Sequence, residues 1–172
     1  MSERTCLQIP LRLRYAIVIR EWRAHKGLSL AEFARQVGLH RQYLWTLEKG
    51  ASYTLDTLES MLVQIRGAPY ESPLRSQVGE RIRQVRKGKG WSQESISERC
   101  GVSILHLSRM ERGTTNATLD LLDVLVKALG TTGEFAIEGL EGDDLEVRLL
   151  AISKSFHRFQ IECESGESSP LA

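Results

Sequence analysis

Apolar residues recur at helical spacing along most of the chain, broken at regular points by glycines and small hydroxyl residues. Leu55, Leu58, Leu62 and Ile65 fall on one helix face, and so do Leu119, Leu122, Val126 and Leu129. Ahead of the first stripe, the pattern predicts a helix from Leu11 to Lys26 that ends at Gly27, where a glycine closes the C-terminus. Ser29 then caps a helix reaching Val37, Gly38 makes a turn, a third helix spans Arg41 to Glu48 and stops before Gly50, and Thr54 caps the fourth. The second half repeats this punctuation. Ser76 starts a helix ended by Gly90, Ser92 caps the next, Gly101 turns the chain, Ser103 caps a third that ends at Gly113, and the second stripe follows.

The likeness of the halves extends to residue identity. With an offset of 63, Ile19–Gly50 overlies Ile82–Gly113 with 10 identities in 32 positions, among them Arg23/Arg86, Gly38/Gly101, Glu48/Glu111 and Gly50/Gly113. After one inserted residue, Thr54-Leu55-Asp56 falls on Thr118-Leu119-Asp120. A tandem duplication of this length predicts two domains. They are expected at 10–66 and 76–130, joined by a linker at 67–75 stiffened by two prolines, with an extension at 131–172 whose end is disordered.

The middle of each repeat has the pattern of two short helices crossing at a wide angle. Such a crossing needs a small residue at the contact, a glycine at the turn and inward apolar side chains. Phe33, Ala34, Val37, Gly38, Leu39, Leu44 and Leu47 supply them in repeat 1; Ile96, Ser97, Cys100, Gly101, Val102, Leu107 and Met110 do so in repeat 2. Across residues 12–130 the chain resembles the phage-repressor-like, or XRE, family of helix-turn-helix proteins. The segments REWRAHKGLSLAEFARQVGLHRQYLWTLEKG and RQVRKGKGWSQESISERCGVSILHLSRMERG carry the resemblance. It implies a mainly all-α fold of two lambda-repressor-like bundles, and binding of double-stranded operator DNA, commonly as a homodimer, in bacteria or their phages. Repeat 1 departs from the pattern with Leu30 where the family usually has Gln.

Within that frame, each motif has a chemical reading. The resemblance implies that Arg23 pairs with Glu48 and Arg86 with Glu111, since a largely buried carboxylate needs a partner and a planar guanidinium answers both of its oxygens. The third helix enters the major groove by its first turns. Its outward residues are Arg41, Gln42 and Thr46, with Tyr43 beside them, and Ile104, Leu105 and Arg109, with His106 beside them. Arg suits guanine, Gln suits adenine, and Thr bonds either base or meets a thymine methyl; Ile and Leu offer methyl contacts alone. Exposed aliphatics also suit a protein partner, so repeat 2 faces either DNA or protein. Phosphate contacts are expected from Ser29, Ser92 and Gln93 at the start of each second helix, and from Lys49, Arg112 and Thr114 in the loops after each third helix. Trp45 is expected either as a partly covered surface residue or packed on repeat 2 or a second subunit, and Trp22 and Trp91 are expected to lie in the core.

Charge sharpens the picture more than composition does. The net charge is +1 over 172 residues, but residues 10–67 carry +4, 68–130 carry +3 and 131–172 carry −6. A basic body is a footprint for nucleic acid. The acidic extension has a stripe at Leu145, Leu149, Ile152, Phe156 and Phe159 that fits a helix, and alternation at Phe135/Ile137, Leu145/Val147/Leu149 and Phe159/Ile161/Cys163 that fits short strands. Either form must pack on repeat 2 or on a second chain, which points to a homodimer or a protein partner held by the tail. Three scattered cysteines, Cys6, Cys100 and Cys163, suit a reducing cytoplasm, and no stretch reads as a signal peptide or membrane span. The four histidines have no metal-ligand spacing, and no phosphate-binding loop or nucleophile elbow is present, so neither catalysis, a metal nor a cofactor is expected. The reading is a sequence-specific transcriptional regulator; the alternative is an antitoxin or adaptor with one degenerate repeat that binds a protein.

Overall fold

A computed structural model describes residues 10–131 as eight helices. They are α1 (Leu11–His25), α2 (Leu30–Gln36), α3 (Arg41–Glu48), α4 (Leu55–Arg66), α5 (Leu74–Gly88), α6 (Gln93–Cys100), α7 (Ile104–Glu111) and α8 (Leu119–Leu129). No strand occurs among the described residues, apart from one isolated antiparallel bridge between Thr54 and Thr118. No described helix is long and apolar enough to cross a membrane. The expectations for the extension at 131–172, including its apolar stripe, lie almost wholly outside the described residues.

Side-chain caps start six of the eight helices. Ser29, His40, Thr54, Ser92, Ser103 and Thr118 each accept an amide of the first turn. His40 does so with its imidazole, through Nδ1 to the Gln42 amide at 3.2 Å. The remaining two, α1 and α5, begin after Pro10 and Pro73, which have no cap to offer. Helix α5 therefore starts at Leu74, not at Ser76, and absorbs the end of the expected linker. Pro10-Leu11-Arg12 and Pro73-Leu74-Arg75 are copies of each other at the offset of 63, so the duplication reaches back to these prolines.

The two repeats share one hydrophobic core. It runs through Leu11, Phe33, Leu44, Leu58 and Leu62 into Leu74, Ile82, Ile96, Leu107 and Leu125. Helix α1 packs on α4 of its own repeat and on α8 of the other, while α5 packs on α8 and on α4. Trp22 and Trp91, expected in the core, lie at its edge and are partly covered. Trp22 meets Phe33 at 5.5 Å between ring centroids, and Lys89 and Arg99 flank Trp91. The aligned counterparts of the two indoles, Val85 and Leu28, are partly covered too, so both positions lie at the rim of the core in each repeat.

The junction between the repeats is reciprocal. The Leu55 amide donates to the Ala117 carbonyl at 2.9 Å, and the Leu119 amide donates to the Tyr53 carbonyl at 2.8 Å. The Leu11 amide donates to Asp123 at 3.4 Å, and the Leu74 amide donates to Glu59 at 2.8 Å. Arg12 pairs with Asp120, and Arg75 pairs with Asp56 at 2.8 Å. In each couple, one contact becomes the other when the repeats are exchanged, which is the signature of a two-fold, isologous interface. Every one of these four amides is the first of its helix, a donor that has no partner within its own helix. Each repeat thus completes the helix ends of the other.

Helix α5 also crosses the end of α7 so closely that a side chain is excluded. A Cβ at Gly79 would lie 2.1 Å from the Met110 carbonyl oxygen, whereas one at Gly88 meets nothing within 4 Å. We expect Gly79→Ala to lose about 1–3 kcal/mol of unfolding free energy through overpacking. Gly88→Ala, on the same helix, should be neutral or stabilising by about 0.5–1 kcal/mol. Urea titration of both variants checks the contrast.

Candidate nucleic-acid interface

The candidate interface consists of α3 and α7, the turns before them and the loops after them. In each repeat a guanidinium pins the third helix to the first. Arg23 donates to both oxygens of Glu48 at 2.7 and 2.8 Å, and its remaining arm donates to the Leu28 carbonyl at 2.9 Å. Arg86 does the same with Glu111 at 2.5 and 2.8 Å and with the Trp91 carbonyl at 2.7 Å. One side chain thereby joins the end of the first helix, the loop after it and the end of the third.

Burial and hydrogen bonding compete at these pairs. The bond to Glu48 raises the Arg23 pKa further above its ordinary value, and the bond to Glu111 does so for Arg86. Burial alone would push the Glu111 carboxyl up, but the bonds from Arg86 and from the Gln93 amide outweigh it and hold the group below the usual carboxylate range. Gln93 Nε2 lies 2.8 Å from Glu111 Oε2. Repeat 1 has no counterpart, because Leu30 occupies that position.

The base-facing candidates occupy matching registers on α3 and α7, and most of them are exposed. Arg41, Gln42 and Tyr43 are exposed on α3. Thr46 is half-buried, and its hydroxyl donates to the Tyr43 carbonyl at 2.7 Å. On α7, Ile104 is 43% and Leu105 60% exposed, and Arg109 is exposed. His106 turns partly inward; its Nε2 is shielded from solvent and makes no hydrogen bond. Trp45, expected either at the surface or packed on repeat 2 or a second subunit, is 46% exposed in the single chain, with Lys49 above its ring at 5.9 Å. It lies on the outward side of α3, away from the apolar face that Leu44 and Leu47 bury.

The phosphate candidates flank these helices in the chain. Lys49, Arg112 and Thr114 are exposed in the loops after α3 and α7. Arg112 donates to Ser108 at 3.1 Å, and Thr114 to the Arg109 carbonyl at 3.1 Å. Ser29 and Ser92 are spent on capping, through Glu32 and Ser95 amides at 3.2 and 3.1 Å. In repeat 1, Glu32 also accepts the Ser29 amide at 2.8 Å, and these bonds lower its pKa. A carboxylate therefore already occupies the start of α2, while Ser95 holds the matching place in repeat 2. Sequence reasoning missed His40 as a cap and missed Arg12, Arg75, Asp56, Glu59, Asp120 and Asp123. The signal for the latter was the repeated Pro-Leu-Arg and Thr-Leu-Asp. Among the described residues, no cluster of His, Cys, Asp or Glu is arranged to hold a metal.

Removing Glu111 should leave Arg86, which is 8% exposed, without its counter-charge. We expect Glu111→Ala to cost about 3–5 kcal/mol, against less than about 0.5 kcal/mol for Glu98→Ala on the exposed face of α6. A carboxyl with a lowered folded-state pKa stabilises fully above its unfolded value of about 4.3 and loses that contribution as pH falls through the folded value. Stability of the unaltered chain should therefore drop below about pH 4, and Glu111→Gln should be weaker at neutral pH with a flatter acid limb. Denaturant titrations between pH 7 and 3 measure both.

Comparison with known proteins agrees with this geometry. The family described as helix-turn-helix matches residues 82–135, and that described as helix-turn-helix domain matches residues 14–63. The chain is 36% identical over 62 residues to a protein named Neisseria hypothetical transcription factor, from Neisseria meningitidis, covering 36% of this chain and 58% of that one. It is 40% identical over 53 residues to the control protein C.BamHI of Bacillus amyloliquefaciens, covering 30% and 65%. It is 39% identical over 59 residues to the uncharacterized HTH-type transcriptional regulator y4dJ of Sinorhizobium fredii, covering 34% and 77%. The chain spans less than two thirds of the length of the Neisseria and Bacillus proteins. No solved structure matches it. With a helix-turn-helix match in each repeat, and a third helix pinned to the first by the same ion pair in both, the chain belongs to the phage-repressor-like, or XRE, family of helix-turn-helix proteins.

Proposed function

We propose that the protein is a DNA-binding transcriptional regulator, working in the cytoplasm on double-stranded operator DNA. The observation that carries this reading is that exposed residues of α3 and of α7 sit at matching registers, each helix fixed by the same ion pair and followed by an exposed Lys49 or Arg112. Names of similar proteins support it: the Neisseria and Sinorhizobium relatives are called a transcription factor and a transcriptional regulator. They favour a regulator over an antitoxin or adaptor.

In this reading Arg41 addresses guanine, Gln42 adenine, and Thr46 and Arg109 the neighbouring bases, while Ile104 and Leu105 meet thymine methyls. Lys49, Arg112, Thr114 and the start of α6 lie along phosphates, while the Glu32 carboxylate closes the start of α2 to them. Gln93 keeps one amide proton beyond the bond to Glu111, enough for one phosphate oxygen. A homodimer joined through residues 131–172 would carry four helix-turn-helix units. Light scattering of the full chain, compared with one shortened to residue 131, decides whether it forms.

Selection from a random duplex pool tests the function, and failure to recover a motif or to bind duplex at low salt would refute it. Arg41→Ala should relax one base position by about 1–3 kcal/mol with little change in salt dependence. Arg112→Ala should weaken all sequences alike and reduce the salt slope by about one unit. Fluorescence anisotropy across a salt series separates the two behaviours.

A further inference from the structure

We propose that one chain acts as a complete two-headed reader, and that its site is an inverted pair of unequal half-sites on duplex DNA. This rests on the DNA-binding reading above and adds the arrangement and the stoichiometry.

The argument begins with the symmetry of the junction. Tandem repeats connected head to tail by a translation would present their third helices in the same direction, suiting direct repeats. Here the contacts are reciprocal: Leu55 to Ala117 with Leu119 to Tyr53, Arg75 to Asp56 with Arg12 to Asp120, Leu74 to Glu59 with Leu11 to Asp123. Exchange of the repeats carries each set onto itself, so the axis relating them is two-fold. Thr54 and Thr118, bridged to each other, mark where it passes. A duplex backbone has two-fold axes of its own perpendicular to its length, and a two-fold reader placed on one meets inverted sequences.

The reach of the two heads fits this. Chain length limits how far α3 and α7 stand from the axis. Glu48 precedes Tyr53, and Glu111 precedes Ala117, by five and six residues, which at full extension is about 17–22 Å. With about 5 Å more across the seam, the ends of the two helices are no more than about 45 Å apart, a limit that contains the roughly 34 Å between successive major grooves on one face of the duplex.

The half-sites cannot be alike, because the heads are not. Arg41, Gln42 and Thr46 on α3 occupy the registers of Ile104, Leu105 and Arg109 on α7. One head offers bidentate hydrogen bonding at its first two positions and the other offers only methyl contact there. A pair of identical chains reads a palindrome; a fused pair with different heads reads an inverted site with one orientation.

The test uses the full chain. Random-pool selection should return two inverted, unequal arms, and native mass spectrometry should find one duplex bound for each chain, also where chains are paired through residues 131–172. Duplexes in which either arm is duplicated into a perfect palindrome should bind about 10-fold or more weakly than the hybrid. Direct repeats, a lone half-site, two chains required per site, or a palindrome bound as tightly as the hybrid would each overturn the proposal while leaving DNA binding intact. Absence of any motif would instead remove the functional reading on which it stands.

Discussion

The reciprocal seam at Tyr53–Leu55 and Ala117–Leu119 is the constraint on which the rest of the structure depends. The first amide of a helix has no partner in that helix, and a buried one left unpaired costs about 1–3 kcal/mol. In this chain four such amides, on α1, α4, α5 and α8, are satisfied by the opposite repeat. Two of those helices start after a proline with no capping side chain, so Asp123 and Glu59 do the capping from a distance and also place negative charge at helix N-termini. Separation of the repeats would expose these amides together with the shared apolar core, so neither repeat is complete alone.

The ion pairs convert that body into rigid heads. A buried guanidinium–carboxylate pair is seldom a large net source of stability, because both charges leave water. What it supplies here is position. Arg23 and Arg86 each make three bonds that tie their own helix to two other segments, so the third helix cannot roll without breaking a charged bond. The side chains that fix α3 and α7 are thus separate from the outward ones that face solvent, and the latter are able to differ between repeats without loss of the fold.

Much of this was legible in the sequence. Glycine and hydroxyl punctuation located the helices, because left-handed turns and N-caps restrict residue choice at single positions. Arg23, Glu48, Arg86 and Glu111 stood out because they recur at one offset. The seam was not legible in the same way. Its two backbone hydrogen bonds join residues more than 60 apart in the chain and involve groups that carry no side-chain signature. Pro73-Leu74-Arg75 looked like linker for its proline, yet it copies Pro10-Leu11-Arg12. Trp22 and Trp91 looked like core because their aligned partners are aliphatic, but Val85 and Leu28 are partly covered as well, so these positions are the edge of the core in both repeats.

The most direct test of the seam is amide hydrogen exchange at Leu55 and Leu119. No intrahelical bond protects the first amide of a helix, so protection at these two positions reports the contact between repeats and nothing else. The account predicts that both exchange slowly, with equal opening free energies that match global unfolding. Fast exchange at either position, with the core of α4 and α8 still protected, would contradict it.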